Sequence, residues 1–281
     1  MAKREAPIKH LKVRIINIVL YPEDKQRKEN YINLWEKIHN DKKTISTFGD
    51  RFTRIRTLYK SEDSNVIHGD FSNAVFFDPQ DSALDSSTNE IVPGGTDPNK
   101  GLGLKTWDYY FFPEYHRLVI NNDASESQIL KFLDEAFNMY LDSDEYQINT
   151  EKDREVIERI INATALSKLH VRVSYSNNDN MKGWKAIIDQ QLRKSRSKTA
   201  SLDLSATKKS PIDVTQSEMV TGFIELSASN GYAEASEIGE NGMINHIKTT
   251  EHPMIRVVDY IDEPSSKLKE MVKGIASGDI N

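Results

Sequence analysis

Five of the six residues from Trp107 to Phe112 are aromatic, and this segment constrains the fold more than any other part of the chain. Successive side chains of a β-strand point to opposite faces. Trp107, Tyr109 and Phe111 therefore share one face, and Tyr110 and Phe112 share the other. Because large aromatic side chains usually belong to cores, we expect a strand buried on both sides rather than a platform that stacks nucleic-acid bases.

Hydrophobic periodicity along the rest of the chain switches between the two-residue repeat of strands and the 3.6-residue repeat of amphipathic helices. Strands are predicted at 11–20, 51–59, 66–77, 107–112, 116–120, 169–175 and 199–204. Helices are predicted at 25–39, 125–141, 151–165, 184–192, 213–230 and 265–275. Hairpins mix with helices without strict β-α-β alternation. This favours an α+β fold, with mixed or antiparallel sheets of hairpins and packed helices, over a doubly wound α/β fold.

Four local features carry finer predictions. The segment 78–105 is rich in Asp, Ser, Asn, Gly and Pro, and it predicts a long surface loop. Ser125 and Gln128 have the spacing of a capping box at the start of a helix. Gly231 is predicted to stop a later helix as its C′ glycine. Beyond it, a terminal meander is expected from strands at 232–238, 243–249 and 254–260.

The character of the chain changes near residue 166. We expect a hairpin-rich α+β half at 1–166, which contains the long loop, and a helix–strand half at 167–281, which contains the terminal meander. One continuous domain is the alternative, because 281 residues suffice for one large domain or two modest ones.

The composition excludes several classes of site. The chain has no cysteine, which rules out disulfides, thiolate zinc sites, iron–sulfur clusters and thiol nucleophiles. Residues 1–7 lack the apolar stretch of a signal peptide. The longest apolar run, 15–20, is far too short to span a bilayer. We therefore expect a soluble cytoplasmic protein that does not contact membranes.

Catalytic motifs are absent from the sequence. The glycine-rich segment 94–106 superficially resembles a phosphate-binding loop, but Asn99 and Leu104 occupy positions where that motif requires glycine. The seven histidines lack the HExxH spacing of zinc proteases. We predict no catalytic residue, metal site or cofactor, and the sequence favours a protein that is not an enzyme. His68 and His116 are kept as candidates for an unfamiliar acid–base or metal site.

One segment differs sharply in charge from the rest of the chain. Residues 182–209 hold eight cations and two acids, which gives +6 within a chain of net charge −6. These cations are Lys182, Lys185, Arg193, Lys194, Arg196, Lys198, Lys208 and Lys209. A second group, Arg51, Arg54 and Arg56, is predicted on one face of a strand. Both groups are candidates for contacts to nucleic-acid phosphates. A solvated face, or cations at a helix end that interact with its dipole, would explain them equally well.

Two sets of segments resemble an uncharacterised bacterial domain-of-unknown-function family found in chromosomes and mobile elements. The first comprises 12–20, 52–55 and 110–118, and the second comprises 174–179 and 228–235. The resemblance covers nearly the whole chain and implies strands, turns and a helix stop but no active site. Members often carry Pro in the Ser-Asn-x-Asp turn, where this chain has Asn178. In length and layout the chain is also similar to RexA-type phage-exclusion proteins, a similarity that implies DNA binding and a block to phage infection.

Three functions are compatible with these observations. The leading hypothesis is a non-enzymatic phage-defence or phage-exclusion protein of a mobile element, which binds nucleic acid or a phage or host protein. The first alternative is a metal-dependent nuclease that uses carboxylates with His68 or His116. The second alternative is a structural protein that assembles with itself through the strands after Gly231.

Overall fold

Two antiparallel sheets and a short hairpin account for the strands in the part of the chain that the computed structural model describes. The described residues are 7–63, 65–76, 82–85, 87–93, 97, 100–176, 181–207, 210–239 and 241–278. The strands are β1 (Lys9–Leu20), β2 (Ile45–Phe48), β3 (Arg51–Lys60), β4 (Ile67–Val75), β5 (Ser82–Asp85), β6 (Glu90–Pro93), β7 (Leu102–Phe112), β8 (Arg117–Asn121), β9 (Tyr146–Thr150), β10 (Leu166–Ser174), β11 (Thr199–Ser205), β12 (Gly231–Ile238), β13 (Ile244–Lys248) and β14 (Ile255–Tyr260). The helices are α1 (Lys28–Asn40), α2 (Glu126–Asn138), α3 (Arg154–Ile161), α4 (Gly183–Lys194), α5 (Glu218–Asn230) and α6 (Ser265–Ser277).

The larger sheet, which we call the first sheet, has the strand order β14-β1-β8-β7-β4-β3-β2, and β9 pairs with the second half of β1. The second sheet has the order β11-β10-β12-β13. All pairs within these sheets are antiparallel. The predicted α+β class, with antiparallel sheets built from hairpins and packed helices, is therefore confirmed.

The aromatic strand β7 lies inside the first sheet, between β4 and β8. Trp107, Tyr109 and Phe111 belong to a core that α1 and α2 close on one face of the sheet. Phe112 belongs to a second core on the opposite face, where α6 packs, and Tyr110 lies half-buried at its margin. The predicted burial on both sides is confirmed for Trp107, Tyr109, Phe111 and Phe112, whereas Tyr110 stays partly exposed.

The second sheet has its own apolar core. Val171 and Val173 of β10 pack with residues of α3, α4 and α5 on one face of the sheet. His170 alternates with these valines and points to the opposite face, where its Nδ1 lies 2.6 Å from Oδ1 of Asp203. The alternation of His170 with Val171 and Val173 in the sequence is typical of a residue that faces away from the core.

Buried hydrogen bonds connect the two sheets. Asn17 of β1 is fully buried, and its Nδ2 donates to the carbonyl oxygen of Ser229 and to Oδ1 of Asn230, both at 3.0 Å. The Ser174 hydroxyl of β10 donates to the carbonyl oxygen of Asn230 at 3.2 Å. The end of α5 therefore bridges β1 of the first sheet and β10 of the second.

The predicted terminal meander is wrong in its last strand. β12 pairs with β13 as expected, but β14 pairs with β1 at the edge of the first sheet. Helix α6 follows it and buries Leu268 and Val272 against Val13 and Phe112. Apolar periodicity specifies that 255–260 is a strand but not which edge it joins, because both candidate edges offer unpaired backbone groups. The expected division near residue 166 stays a prediction. In the structure the chain returns to the first sheet after that point, because β14 pairs with β1.

Three other local expectations need correction. Within 78–105, the predicted loop contains the β5–β6 hairpin and the first residues of β7, while 78–81, 86, 94–96 and 98–99 lie outside the described residues. Ser125 does precede α2, but its side chain makes no cap hydrogen bond, and its Oγ lies 3.2 Å from Oγ of Ser127. Gly231 ends α5 in an extended conformation with φ 160°, not in the left-handed conformation of a C′ glycine.

Candidate nucleic-acid interface

The arginines of β3 do not all share one face. Arg51 donates from Nη1 to Oδ1 of Asn73 at 2.9 Å, and Asn73 in turn donates to the buried Thr53. Arg51 therefore lies on the Thr53 side of the sheet, whereas Arg54 and Arg56 line the opposite side. The predicted grouping of all three on one face is wrong, because strict alternation places odd and even positions of a strand on opposite faces.

The side of the sheet that carries Arg54 and Arg56 is the side on which α6 covers Phe112, and beyond α6 its side chains on β3, β4 and β7 range from buried to exposed. We call it the open face and define it by Arg54, Arg56, Tyr59, His68, Asp70, Asp108 and Tyr110. Register places these residues in adjacent rows, because His68 pairs with both Tyr59 and Tyr110, and Asp70 pairs with Asp108. A β-bulge between Ile55 and Thr57 shifts the pairing register of β3 by one residue, so that Tyr59 pairs with His68. The bulge leaves Arg56 beside Asp70.

An aromatic row crosses the open face. The rings of Tyr59 and His68 have centroids 5.5 Å apart with an interplanar angle of 34°. The rings of His68 and Tyr110 are stacked, with centroids 6.0 Å apart and planes 15° apart. Tyr59 is 57% exposed, and burial raises the pKa of Tyr110 to about 12, so this hydroxyl stays protonated at neutral pH. The row offers three polar-tipped rings at the surface.

A charged row lies beside the aromatic row. Arg56 makes two hydrogen bonds of 2.6 Å to the carboxylate of Asp70, and Thr57 donates to the same carboxylate at 2.8 Å. Asp108 lies directly across from Asp70 on β7. Lost hydration and the nearby Asp70 carboxylate raise the pKa of Asp108 above its usual range. The row therefore presents carboxylate acceptors held next to a fixed guanidinium.

A cavity of about 210 Å³ lies at the end of the open face that carries Arg54. Its apolar part includes Phe52 and Phe76, whose rings meet edge to face at 5.6 Å. Arg54 lines the same cavity, and its buried Nε has no hydrogen-bond partner within the described parts of the chain. An arginine with unused donors beside apolar rings suits a planar polar ligand such as a nucleobase.

The basic segment of 182–209 is split between two places. Lys182 and Lys185 lie at the start of α4, and Lys185 is 3.5 Å from Glu225 of α5. Arg193 and Lys194 lie at the other end of this twelve-residue helix, followed by Arg196 and Lys198. A helix rises about 1.5 Å per residue, so the two groups are roughly 16 Å apart. Lys208 and Lys209 lie outside the described residues.

Arg193 is held inside the protein by acids. Its Nε lies 2.8 Å from Oδ2 of Asp189, its Nη1 lies 2.9 Å from Oε2 of Glu23, and its Nη2 donates to the carbonyl oxygen of Ser176 at 2.6 Å. Its guanidinium also lies 5.0 Å from the ring centre of Tyr175. The two carboxylates already neutralise the charge that would attract a phosphate.

The exit of α4 lines a cleft of about 610 Å³, which we call the α4 cleft. Arg196 and Lys198 line the cleft together with Asp142 and Asp144 of a neighbouring turn. Tyr21 and Tyr175 line it as well, with ring centroids 4.4 Å apart. The cleft therefore mixes both charges, and nothing in its lining favours a long polyanion.

The two histidines of the alternative enzymatic hypothesis have different surroundings. His116 is buried, and its Nδ1 lies 2.9 Å from the hydroxyl of Tyr31. His68 belongs to the aromatic row. Among the described residues, no group of three His, Asp or Glu side chains is arranged to hold a metal ion.

Sequence reasoning missed the open face as a unit. Tyr59 and His68 were not singled out as partners of Tyr110, because pairing register decides which residues of three strands become neighbours. The usable signal was local: each of these residues occupies an alternate position opposite a buried one, as in His68 beside the buried Ile67.

The comparisons with known proteins concern the family. None of the helices that the structure describes combines the length and apolar composition needed to cross a membrane. No curated protein matches the chain. The expected similarity to RexA-type phage-exclusion proteins stays a prediction. A family model described as a domain of unknown function, DUF4747, matches residues 9–277. The match spans nearly the whole chain, and the chain therefore belongs to the DUF4747 family, as the expected membership of a family of unknown function had indicated.

Proposed function

We propose that this protein binds single-stranded nucleic acid on the open face and acts, without catalysis, in the exclusion of phage. The observation that supports the binding proposal is the row of Tyr59, His68 and Tyr110 next to Arg54 and Arg56 on a partly exposed face of an antiparallel sheet. Proteins that bind single strands use aromatic side chains on sheet faces as stacking surfaces for bases.

The charged row supplies the polar half of such a site. A carboxylate such as Asp108 accepts hydrogen bonds from the amino groups of bases, and the guanidinium of Arg54 donates to carbonyl and ring-nitrogen acceptors. Two arginines and two aspartates leave the open face without net charge. Stacking and base contacts would then contribute more than phosphate attraction. This suits an acidic protein, whose overall field repels polyanions.

The ion pairs of Arg193 determine which residues of the basic segment 182–209 could contact nucleic-acid phosphates. Because Arg193 is already paired with Asp189 and Glu23, and Arg196 lines the α4 cleft, phosphate contact near α4 would rest on the exposed Lys194. We assign Lys194 a secondary role, as a non-specific contact for flanking phosphates.

The test is fluorescence anisotropy with a labelled twelve-nucleotide single strand, as DNA and as RNA, over a series of salt concentrations. The variant Tyr59→Ala/His68→Ala removes two exposed rings, and Trp184→Ala removes a half-exposed ring from the second sheet's layer as the control. Stacking is worth about 1–3 kcal/mol per base, so the double variant should lose roughly tenfold or more in affinity. The control should bind as the wild type does.

A charge comparison completes the test. Arg54→Glu places a negative charge on the open face, and Lys131→Glu makes the same change on α2. Only Arg54→Glu should weaken binding. Absence of binding to any single strand at low salt, or equal binding by Tyr59→Ala/His68→Ala and wild type, would refute the proposed site.

The exclusion role is tested in cells. It is motivated by the resemblance to mobile-element and phage-exclusion families, and it needs its own measurement. Plating efficiencies of a broad phage panel should fall on cells that express the wild type and recover with Tyr59→Ala/His68→Ala. Full plating of every phage on wild-type cells would remove this part of the proposal.

A second candidate function is supported by the sheet edges. β13 and β14 are edge strands, and they or their flanking turns expose apolar residues. Met243 is 64% exposed, Ile244 52% and Val257 62%. Such edges pair readily with another chain, so self-assembly is proposed as the alternative. Light scattering after size-exclusion chromatography should show a dimer or larger species; a strict monomer at high concentration argues against it.

A further inference from the structure

Arg196 occupies a backbone position that normally belongs to glycine. After α4, the amide of Ser197 donates to the carbonyl oxygen of Leu192 at 2.9 Å, and the amide of Arg196 donates to that of Arg193 at 3.0 Å. This is the Schellman pattern, in which the C′ residue is left-handed and is usually Gly. Arg196 has φ 55°. An L-residue there costs roughly 1–2 kcal/mol.

The strain by itself assigns no function. Lys42 occupies the same position after α1, with φ 51°, and the amides of Lys42 and Lys43 make the equivalent bonds to His39 and Ile38. Lys42 lines none of the cavities described here, whereas the Arg196 side chain lines the α4 cleft. The cleft is what distinguishes the two positions, and Lys42 provides a matched control.

Most charges around the α4 cleft neutralise each other. Arg193 is paired with Asp189 and Glu23, and Glu145 is paired with Lys25. What remains are the cations of Arg196 and Lys198 and the carboxylates of Asp142 and Asp144. Arg196, Asp142 and Asp144 form no ion pair with any other described residue.

Lys198 is held in place facing the cleft. Its Nζ donates to the carbonyl oxygen of Ser143 at 2.8 Å and lies 5.6 Å from the ring centre of Tyr21. Partial burial lowers the pKa of Lys198, the nearby carboxylate of Asp144 opposes this shift, and the cationic Arg172 adds to it. A bound anion would add counter-charge to this partly buried ammonium group.

We propose that the α4 cleft binds a small phosphate monoester that carries sugar hydroxyl groups, such as a pentose phosphate or a nucleoside monophosphate. Arg196 and Lys198 would bind the phosphate, since charge-assisted hydrogen bonds to phosphate are among the strong ones. Asp142 and Asp144 would accept hydrogen bonds from the hydroxyls. The volume of about 610 Å³ lies within the usual range of roughly 300–1,000 Å³ for ligand pockets. This site is separate from the open face and does not depend on it.

Isothermal titration calorimetry with four probes tests the proposal: adenosine 5′-monophosphate, ribose 5-phosphate, adenosine and inorganic phosphate. The two phosphate esters should bind more tightly than adenosine and than inorganic phosphate. If adenosine 5′-monophosphate binds more tightly than ribose 5-phosphate, the ligand is a nucleotide. If the two bind equally, the sugar phosphate is the part that the cleft recognises.

The variants separate binding from folding. Arg196→Gly relieves the left-handed strain, so it should raise the melting temperature while weakening binding of the esters about tenfold or more, because a hydrogen bond to a charged group is lost. Lys42→Gly should also raise the melting temperature but leave binding unchanged. Asp142→Asn/Asp144→Asn should weaken binding of the esters relative to that of inorganic phosphate, which should hold or tighten because two carboxylates are removed from the cleft.

Three results would overturn the proposal. They are no binding of either ester at millimolar concentration, adenosine binding as tightly as its monophosphate, and Arg196→Gly binding as tightly as wild type. The variant Tyr59→Ala/His68→Ala should bind the two phosphate esters as tightly as the wild type does. The outcome at the α4 cleft is therefore read independently of nucleic-acid binding at the open face.

Discussion

Arg117 of β8 and Glu151, which follows β9, form an ion pair whose side chains have no solvent exposure, with 2.8 Å between Nε and Oε1. The second carboxylate oxygen of Glu151 accepts from the Ser229 hydroxyl at 2.6 Å, and Nη1 of Arg117 donates to Oδ1 of Asn17 at 2.7 Å. This pair therefore lies in the same seam of hydrogen bonds that joins the end of α5 to β1.

Removing one member of this pair should strongly destabilise the protein. Glu151→Gln would replace the carboxylate beside Nε of Arg117 with a neutral amide, and removing one member of a buried ion pair costs about 3–5 kcal/mol in comparable cases. Urea unfolding should show this loss. The double variant Arg117→Met/Glu151→Leu should recover much of it, and Lys267→Met, which breaks an exposed pair with Glu270, should change stability by under about 1 kcal/mol. A single variant as stable as wild type would contradict this account.

Gly231 should tolerate no side chain. A Cβ at this position would lie 1.9 Å from the carbonyl oxygen of Arg172, because β12 begins in direct contact with β10. Gly231→Ala should therefore destabilise the fold by several kcal/mol, or prevent folding. Gly49→Ala, at φ 52° with no atom near the new Cβ, should cost only about 1–2 kcal/mol. Equal losses in thermal unfolding would show that the close approach is unimportant.

Asp108 should make stability depend on pH in an unusual direction for a carboxylate. Its pKa is raised by lost hydration and by Asp70, so its contribution is present below the usual carboxyl range and is lost as pH rises through the raised pKa. Asp108→Asn should therefore be more stable than wild type at pH 7, and the difference should vanish in acid. Thermal unfolding across pH 3–8 measures this. A variant that is less stable than wild type at neutral pH would refute it.

Arg193 and Lys194 should behave differently although they are neighbours. Arg193→Ala removes the partner of Asp189 and Glu23 and should cost about 1–3 kcal/mol, the usual range for hydrogen bonds that involve charged groups. Lys194→Ala changes an exposed side chain and should stay within about 0.5 kcal/mol. Chemical denaturation of both variants tests this. Similar stabilities would mean that Arg193 is available for ligand contact after all.

Most elements of this fold could be predicted, because their hydrophobic period is local. The heptad-like spacing of Tyr31, Leu34, Trp35 and Ile38 predicted α1, and all four are buried against the first sheet. The short β9 was not predicted, because an alternating pattern of only five residues is too short to be distinctive and the strand is stabilised by pairing with β1. Helix α3 was consequently predicted to begin three residues too early.

The candidate sites were harder to predict than the elements. Charge clustering singled out Arg193, Arg196 and Lys198, but it could not show that Glu23, more than 150 residues earlier, neutralises Arg193. It also grouped Arg51 with Arg54 and Arg56, although Arg51 is bonded to Asn73 on the other face. Partners that are distant in sequence decide whether a cation is free to bind.

The sequence by itself determined the α+β class, the aromatic core strand and most helix and strand positions, because side-chain periodicity is a property of neighbouring residues. Only the tertiary structure decided that β14 returns to β1, that Tyr59, His68 and Tyr110 form one row, and that Arg117 meets Glu151. These relationships depend on strand register and on the packing of one sheet against another. Register and packing are set by the best simultaneous burial of all apolar faces, which no single segment encodes.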